Sequence, residues 1–167
     1  MRGGPVSGIV VGVSTEQAIE AAIEVAIEAA SKAFQRLVDA LDRPRDPVLL
    51  RAAVTDDVRI DRHAPGDRAT APVAETFTGI AEVERWFART PPSVRFGLAG
   101  AARLEPEPEH AWAIEYTIDA GEFHNGGVWL ARLAADGRIA ILSHHPFALR
   151  DGGSLHAHGG SSHTHGG

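Results

Sequence analysis

From Val94 to Phe147 the chain is written in a period of two. Val94, Phe96, Leu98 and Leu104 alternate with small or polar residues, and Trp112, Ile114, Tyr116 and Ile118 repeat the pattern. The stretch FHNGGVWLARLAA is apolar on both faces, and Asp136-Gly137 makes a tight turn into RIAILSHHPF. Successive side chains of a strand point to opposite faces, so this spacing predicts four consecutive strands, the last two joined as a hairpin. Such a sheet needs a cover for its apolar face, and the first half of the chain supplies helices for it.

Ser14 and Gln17 have capping-box spacing at the head of a long helix. Glu16, Glu20, Glu24 and Glu28 recur every four residues beside Ile19, Ile23 and Ile27. This half reads as a solvated helical extension, or as a helix that pairs with a second subunit in a homodimer. Phe34, Leu37, Val38 and Leu41 then fall at i, i+3, i+4, i+7, a core-facing stripe. Asp46-Pro47 restarts a short helix running to Ala53. Val58, Ile60 and Arg62 share one face of a first strand, with Arg59, Asp61 and His63 on the other. APGDRATAPVAE is a loop by composition. TGIAEVERWFART is a third helix, stopped by Pro91-Pro92. Residues 1–13 read as a flexible arm, 14–30 as the helical extension, 31–149 as the folded domain and 150–167 as a disordered tail.

A chain of 167 residues without cysteine has no disulfide, thiolate metal site or thiol nucleophile. A net charge of −6 argues against a nucleic-acid partner. No apolar run is long enough for a membrane span, and the start lacks a convincing signal-peptide core, so the expectation is a cytoplasmic protein.

FTGIAEVERWF, followed later by FHNGGVWLARLAADGRIAILSHHPF, resembles the nuclear transport factor 2-like superfamily, and within it the SnoaL-like group. The matches are a helix start at Thr78-Gly79, an Asn in the penultimate strand at Asn125, and a closing turn from Asp136 to Ile139. The resemblance covers about residues 31–149. It implies an α+β fold in which a curved antiparallel sheet wraps around helices as a cystatin-like cone. It also implies that the mouth of the cone holds a small apolar or polyketide-like molecule, with no cofactor for the domain. Relatives include ketosteroid isomerases, cyclases, dehydratases and epoxide hydrolases, so the fold does not choose the function. The ketosteroid mechanism does not transfer: the position of its strand carboxylate aligns with Arg62, and that of its helix tyrosine with Phe34.

Side-chain alternation separates His144 from His145, so the pair is not a metal site by spacing. His145 shares its face with Ile139, Ile141 and Phe147, and is the expected pocket residue. His145 or His124 would exchange protons, Tyr116 and Asn125 would donate to a substrate oxygen, and Trp86 and Trp129 would form an apolar wall. Arg62 shares the inward face and can contact substrate, or simply pair with Glu75 or Glu82. Asp61 would be a base only if a bulge turned it inward. Each of these residues also has a structural role open to it: buried Tyr and Trp usually pack, and an inward His usually completes a hydrogen bond.

The tail HAHGGSSHTHGG offers His156 with His158, and His163 with His165, as two pairs for Zn, Ni or Cu. Such a site needs neutral imidazoles and should weaken below about pH 6.

Two functions follow. One is a cofactor-free isomerase, cyclase, dehydratase or hydrolase, with His145, Tyr116 and Asn125 converging in a closed pocket. The other is a non-catalytic dimerising or ligand-binding scaffold with a metal-binding tail, its cone filled by Trp and Phe.

Overall fold

The computed structural model describes residues 14–44, 46–67, 70–104 and 110–148. The arm, and the tail with His156, His158, His163 and His165, lie outside the described residues.

Helix α1 (Thr15–Asp42) opens on the capping box. The Ser14 hydroxyl accepts from the Gln17 backbone N–H at 3.2 Å, and the Gln17 side chain accepts from the Ser14 N–H at 3.1 Å. Two amides that the first turn leaves without partners are thereby satisfied. Burial starts only at Ala30 and then follows Ala33, Phe34, Leu37, Val38 and Leu41, while Ile19, Ile23 and Val25 stay exposed. The first half of the helix is therefore held by capping and propensity, the second by packing. A chain beginning at Ala26 should melt within about 5 °C of the full chain, because the described residues it loses, 14–25, are all exposed. Gross unfolding of that truncated chain, seen by circular dichroism, would place the extension in the core.

Helix α2 (Pro47–Ala53) starts where the Asp46 carboxylate accepts from the Val48 N–H at 3.0 Å. Strand β1 (Val54–His63) follows directly, then β2 (Val73–Thr78), helix α3 (Ile80–Phe87), β3 (Arg95–Leu98), β4 (Ala102–Arg103), β5 (Trp112–Ala120), β6 (Phe123–Leu133) and β7 (Ile139–Pro146). Gly79, at φ 79°, takes a left-handed backbone between β2 and α3 that an L side chain resists. Its N–H donates to the Val58 carbonyl at 2.8 Å, which sets α3 against β1. β2 corrects the loop reading of 64–75. Its residues look like loop by composition, but pairing along β1 makes Val73–Thr78 a strand.

The seven strands form one curved, unclosed sheet in the order β2-β1-β7-β6-β5-β3, with β4 also on β5. All pairings are antiparallel except β1 with β7. The exception has a simple origin. Every other neighbouring pair except β3 with β5 is joined directly in sequence, whereas β1 and β7 meet across most of the domain and no hairpin fixes their direction. Phe34, Leu37 and Leu41 of α1, with Val83 and Phe87 of α3, pack with the inward residues of the sheet into one core. Among the described residues, no helix is long and apolar enough to cross a membrane.

Candidate functional site

Strand register builds the site. Glu75 pairs with Arg62, Arg62 with His144, His144 with Trp129, and Trp129 with Ile114. These five residues form one row across five strands, on the face that meets the helices. The neighbouring row is Phe77, Ile60, Leu142, Ala131 and Trp112. Above the rows lies a cavity of about 390 Å³. Trp86, Phe87, Phe96, Phe123 and Trp129 give it aromatic walls, and Leu37, Leu41 and Leu142 add aliphatic ones. Its charged lining among the described residues is Arg62, Glu75 and Arg89, joined by His144 and Thr90 as polar groups.

Arg62 Nη1 donates to Glu75 Oε2 at 2.6 Å, so both members of this ion pair present themselves to the cavity. Both side chains are about two-fifths exposed, at 41% and 43%, so the pair adds little stability and its value lies in where it is placed.

Tyr116 belongs to the next row, opposite Gly127. Its ring is fully buried, stacks on Trp129 at 4.5 Å between centroids, and reaches His144, where Oη and Nε2 are 2.5 Å apart. A Cβ at position 127 would run into the Tyr116 ring and hydroxyl and into the His145 carbonyl, so glycine makes this reach possible. Burial raises the Tyr116 pKa above the usual range for a phenol, against the opposing pull of Arg62. Loss of hydration, followed by the charge of Arg62 and then by His145 and His63, lowers the His144 pKa to about 3. Both groups are thus neutral at ordinary pH. His144 Nδ1 is buried with no partner among the described residues. The assignment that orphans fewest groups has Tyr116 donating to Nε2 and the imidazole proton on Nδ1.

The structure separates the expected residues. Arg62, Trp86 and Trp129 line the cavity. Tyr116 lies behind that wall and acts on it through His144. His145 does not line it. It sits on the opposite face, buried and stacked on His63 at 3.8 Å between centroids. The reason is a β-bulge: Arg132 pairs with Ile141 but Leu133 pairs with Ile139, leaving Ala140 as an extra residue that reverses the parity of β7. His144 takes the inward position instead. Asp61 also stays on the outer face, accepting from Arg59 Nε at 3.0 Å and from the Thr76 hydroxyl at 2.8 Å, and no bulge turns it inward. His124 is exposed, 3.7 Å from Asp119. Asn125 lies past the cavity and donates to the Phe147 carbonyl at 3.4 Å. Tyr116, His124 and Asn125 border a second hollow together, but His145 does not join them, so His145, Tyr116 and Asn125 do not converge as a set.

Glu75 and Arg89 are cavity residues to which the sequence reading gave no site. Once β2 is paired with β1, the position of Glu75 opposite Arg62 follows, but Arg89 carries no local mark. Among the described residues, no group of three or more His, Cys, Asp or Glu is placed to hold a metal ion.

No protein-family model matches the chain, and no curated protein matches it in sequence. Solved structures do. A Methylobium petroleophilum PM1 protein of unknown function with a cystatin-like fold aligns with TM-score 0.55 at 16% identity, over 77% of this chain and 82% of its own. A candidate ketosteroid isomerase from Kribbella flavida aligns with TM-score 0.54 at 15% identity, over 83% and 93%. A candidate isomerase of the SnoaL-like family from Agrobacterium tumefaciens aligns with TM-score 0.53 at 16% identity, over 71% and 97%. With helices packed on one face of an unclosed curved sheet, the chain shares the cystatin-like α+β fold of these structures.

Proposed function

We propose that this cavity carries the protein's function: it binds a small, largely apolar molecule, and Glu75 exchanges a proton with it without a cofactor. The observation that carries the reading is a carboxylate–guanidinium pair set in the wall of an otherwise aromatic and aliphatic hollow. The volume lies within the usual range for ligand pockets, roughly 300–1,000 Å³, and the mix of apolar walls with few polar groups is the usual composition. One Glu75 oxygen is tied to Arg62, and the remaining lone pairs can take a proton from a carbon or hydroxyl lying against them. Arg62 is positioned to balance the charge that develops on an adjacent oxygen of the ligand. Isomerisation, cyclisation and dehydration all need such a step.

His144 has a different part. With Nε2 engaged by Tyr116 and Nδ1 buried, it offers no free nitrogen to a ligand. It keeps a polar stretch of wall uncharged beside Arg62. Burial favours a second reading, a binding protein without turnover, because it keeps both the tyrosine and the histidine neutral.

Two measurements separate these. An apolar fluorophore such as anilinonaphthalene sulfonate should bind the wild-type protein. Val94→Trp, which fills the rim of the cavity, should weaken that binding at least about tenfold while the fold persists. Equal binding would remove the cavity from the account. A panel of aryl ketones incubated in heavy water should exchange α-protons, with Glu75→Gln slowing exchange by about 10²-fold or more. Exchange that survives Glu75→Gln would discard the base, and binding without any exchange would select the second reading.

A further inference from the structure

The cavity wall is charged asymmetrically. Of its three charged lining residues, Arg62 and Glu75 neutralise each other at 2.6 Å. Arg89 remains. It follows the C-terminal end of α3, on the connection to β3 that also contributes Thr90, Pro91 and Val94 to the lining. Among the described residues the Arg89 guanidinium has no ion pair or hydrogen bond, and the Thr90 hydroxyl has no hydrogen bond partner. Neighbouring surface arginines differ: Arg85 pairs with Glu82 and Arg51 with Glu84. In a chain of net charge −6, an unanswered cation at the rim of an apolar hollow is out of keeping with its surroundings.

We infer that the ligand is an amphiphilic carboxylate, its apolar body held between the aromatic walls and its carboxylate taken by the Arg89 guanidinium and the Thr90 hydroxyl. This rests on the reading of the cavity as a ligand site. A guanidinium matches a carboxylate in a two-pronged hydrogen-bonded pair, and an adjacent hydroxyl adds a third donor. The local balance supports the sign. His144 is neutral and Glu75 is already answered by Arg62, so the lining carries one net positive charge from Arg62, Glu75 and Arg89. The low-dielectric aromatic walls strengthen that attraction relative to open water. A ligand bearing both features also explains why apolar and cationic groups occur in one hollow.

The test compares naphthylacetate with naphthylacetamide, its neutral isostere, by titration calorimetry on the full chain. The acid should bind about tenfold or more tightly than the amide, and the difference should shrink with added salt. Arg89→Gln should bring the acid down to the level of the amide and leave the amide unchanged. Thr90→Val should weaken the acid by a few-fold only. If acid and amide bind the wild-type protein equally, or if the acid keeps its advantage in Arg89→Gln, the carboxylate inference is overturned while the cavity stands. If neither compound binds, and Val94→Trp leaves dye binding unaltered, the cavity reading falls and this inference with it.

Discussion

Gly127→Ala should cost about 3 kcal/mol of stability and lower the melting temperature by about 10 °C. The added methyl group would meet the His145 carbonyl on one side and the Tyr116 hydroxyl and ring carbon on the other. Neither can give way cheaply. The carbonyl belongs to the β6–β7 ladder, and the tyrosine ring is fixed by Trp129 at 4.5 Å and by its hydrogen bond to His144. Overpacking at so constrained a place forces backbone movement or an off-rotamer ring. The change also acts on the site, because Trp129 and His144 are both cavity walls. A control is available at Gly100, where an added Cβ meets nothing within 4 Å. Gly100→Ala should stay within about 0.5 kcal/mol of the parent. Thermal unfolding of the two variants, followed by near-ultraviolet circular dichroism, compares them directly. Equal stability would mean that Tyr116 does not cross position 127.

The same glycine shows how far alternation carries a reading of this sequence. Strand β5, and β1 from Val58 to Arg62, keep the period of two, so Arg62 with Val58 and Ile60, and Tyr116 with Trp112 and Ile114, emerge on the inward face from spacing alone. The stripe from Phe34 to Leu41 is likewise the buried face of α1. Strand β7 defeats the method. One extra residue at Ala140 reverses every side chain after it, and nothing in RIAILSHHPF marks the bulge. The choice between two adjacent histidines therefore depended on a feature of pairing and was invisible in composition. Glu75 is legible as a partner for Arg62, and the pair forms, but its place in the cavity wall is hidden for a related reason. Its strand lies at the sheet edge with mostly exposed residues, so it lacks the apolar alternation that identifies a strand. Arg89 depends on how the α3–β3 connection closes over the cavity, which no periodicity encodes.

The second large effect is on acid stability, and it comes from His144. An ordinary imidazole has a pKa of 6.5, and burial with the nearby Arg62 charge lowers this one to about 3. The unfolded chain therefore takes up a proton that the folded chain refuses. Stability from this residue is complete above pH 6.5 and is lost as pH falls from there toward 3. Between pH 7.5 and pH 5.0 the loss should be about 2 kcal/mol. Other groups titrate in acid as well. Glu28, held below its usual range first by its hydrogen bond to Lys32, and Asp136, held there first by the Arg138 backbone, release their contributions mainly at lower pH. The remaining histidines are common to parent and variant, so a difference measurement isolates His144. His144→Gln keeps an acceptor for the Tyr116 hydroxyl and cannot take up a proton in this range. In urea denaturation the parent should lose about 2 kcal/mol more than His144→Gln on going from pH 7.5 to pH 5.0. Equal losses would show that the imidazole is hydrated and free to charge. The cavity wall beside Arg62 would then gain a second cation in mild acid, and the uncharged stretch of wall that lets Arg89 set an anionic ligand's orientation would disappear.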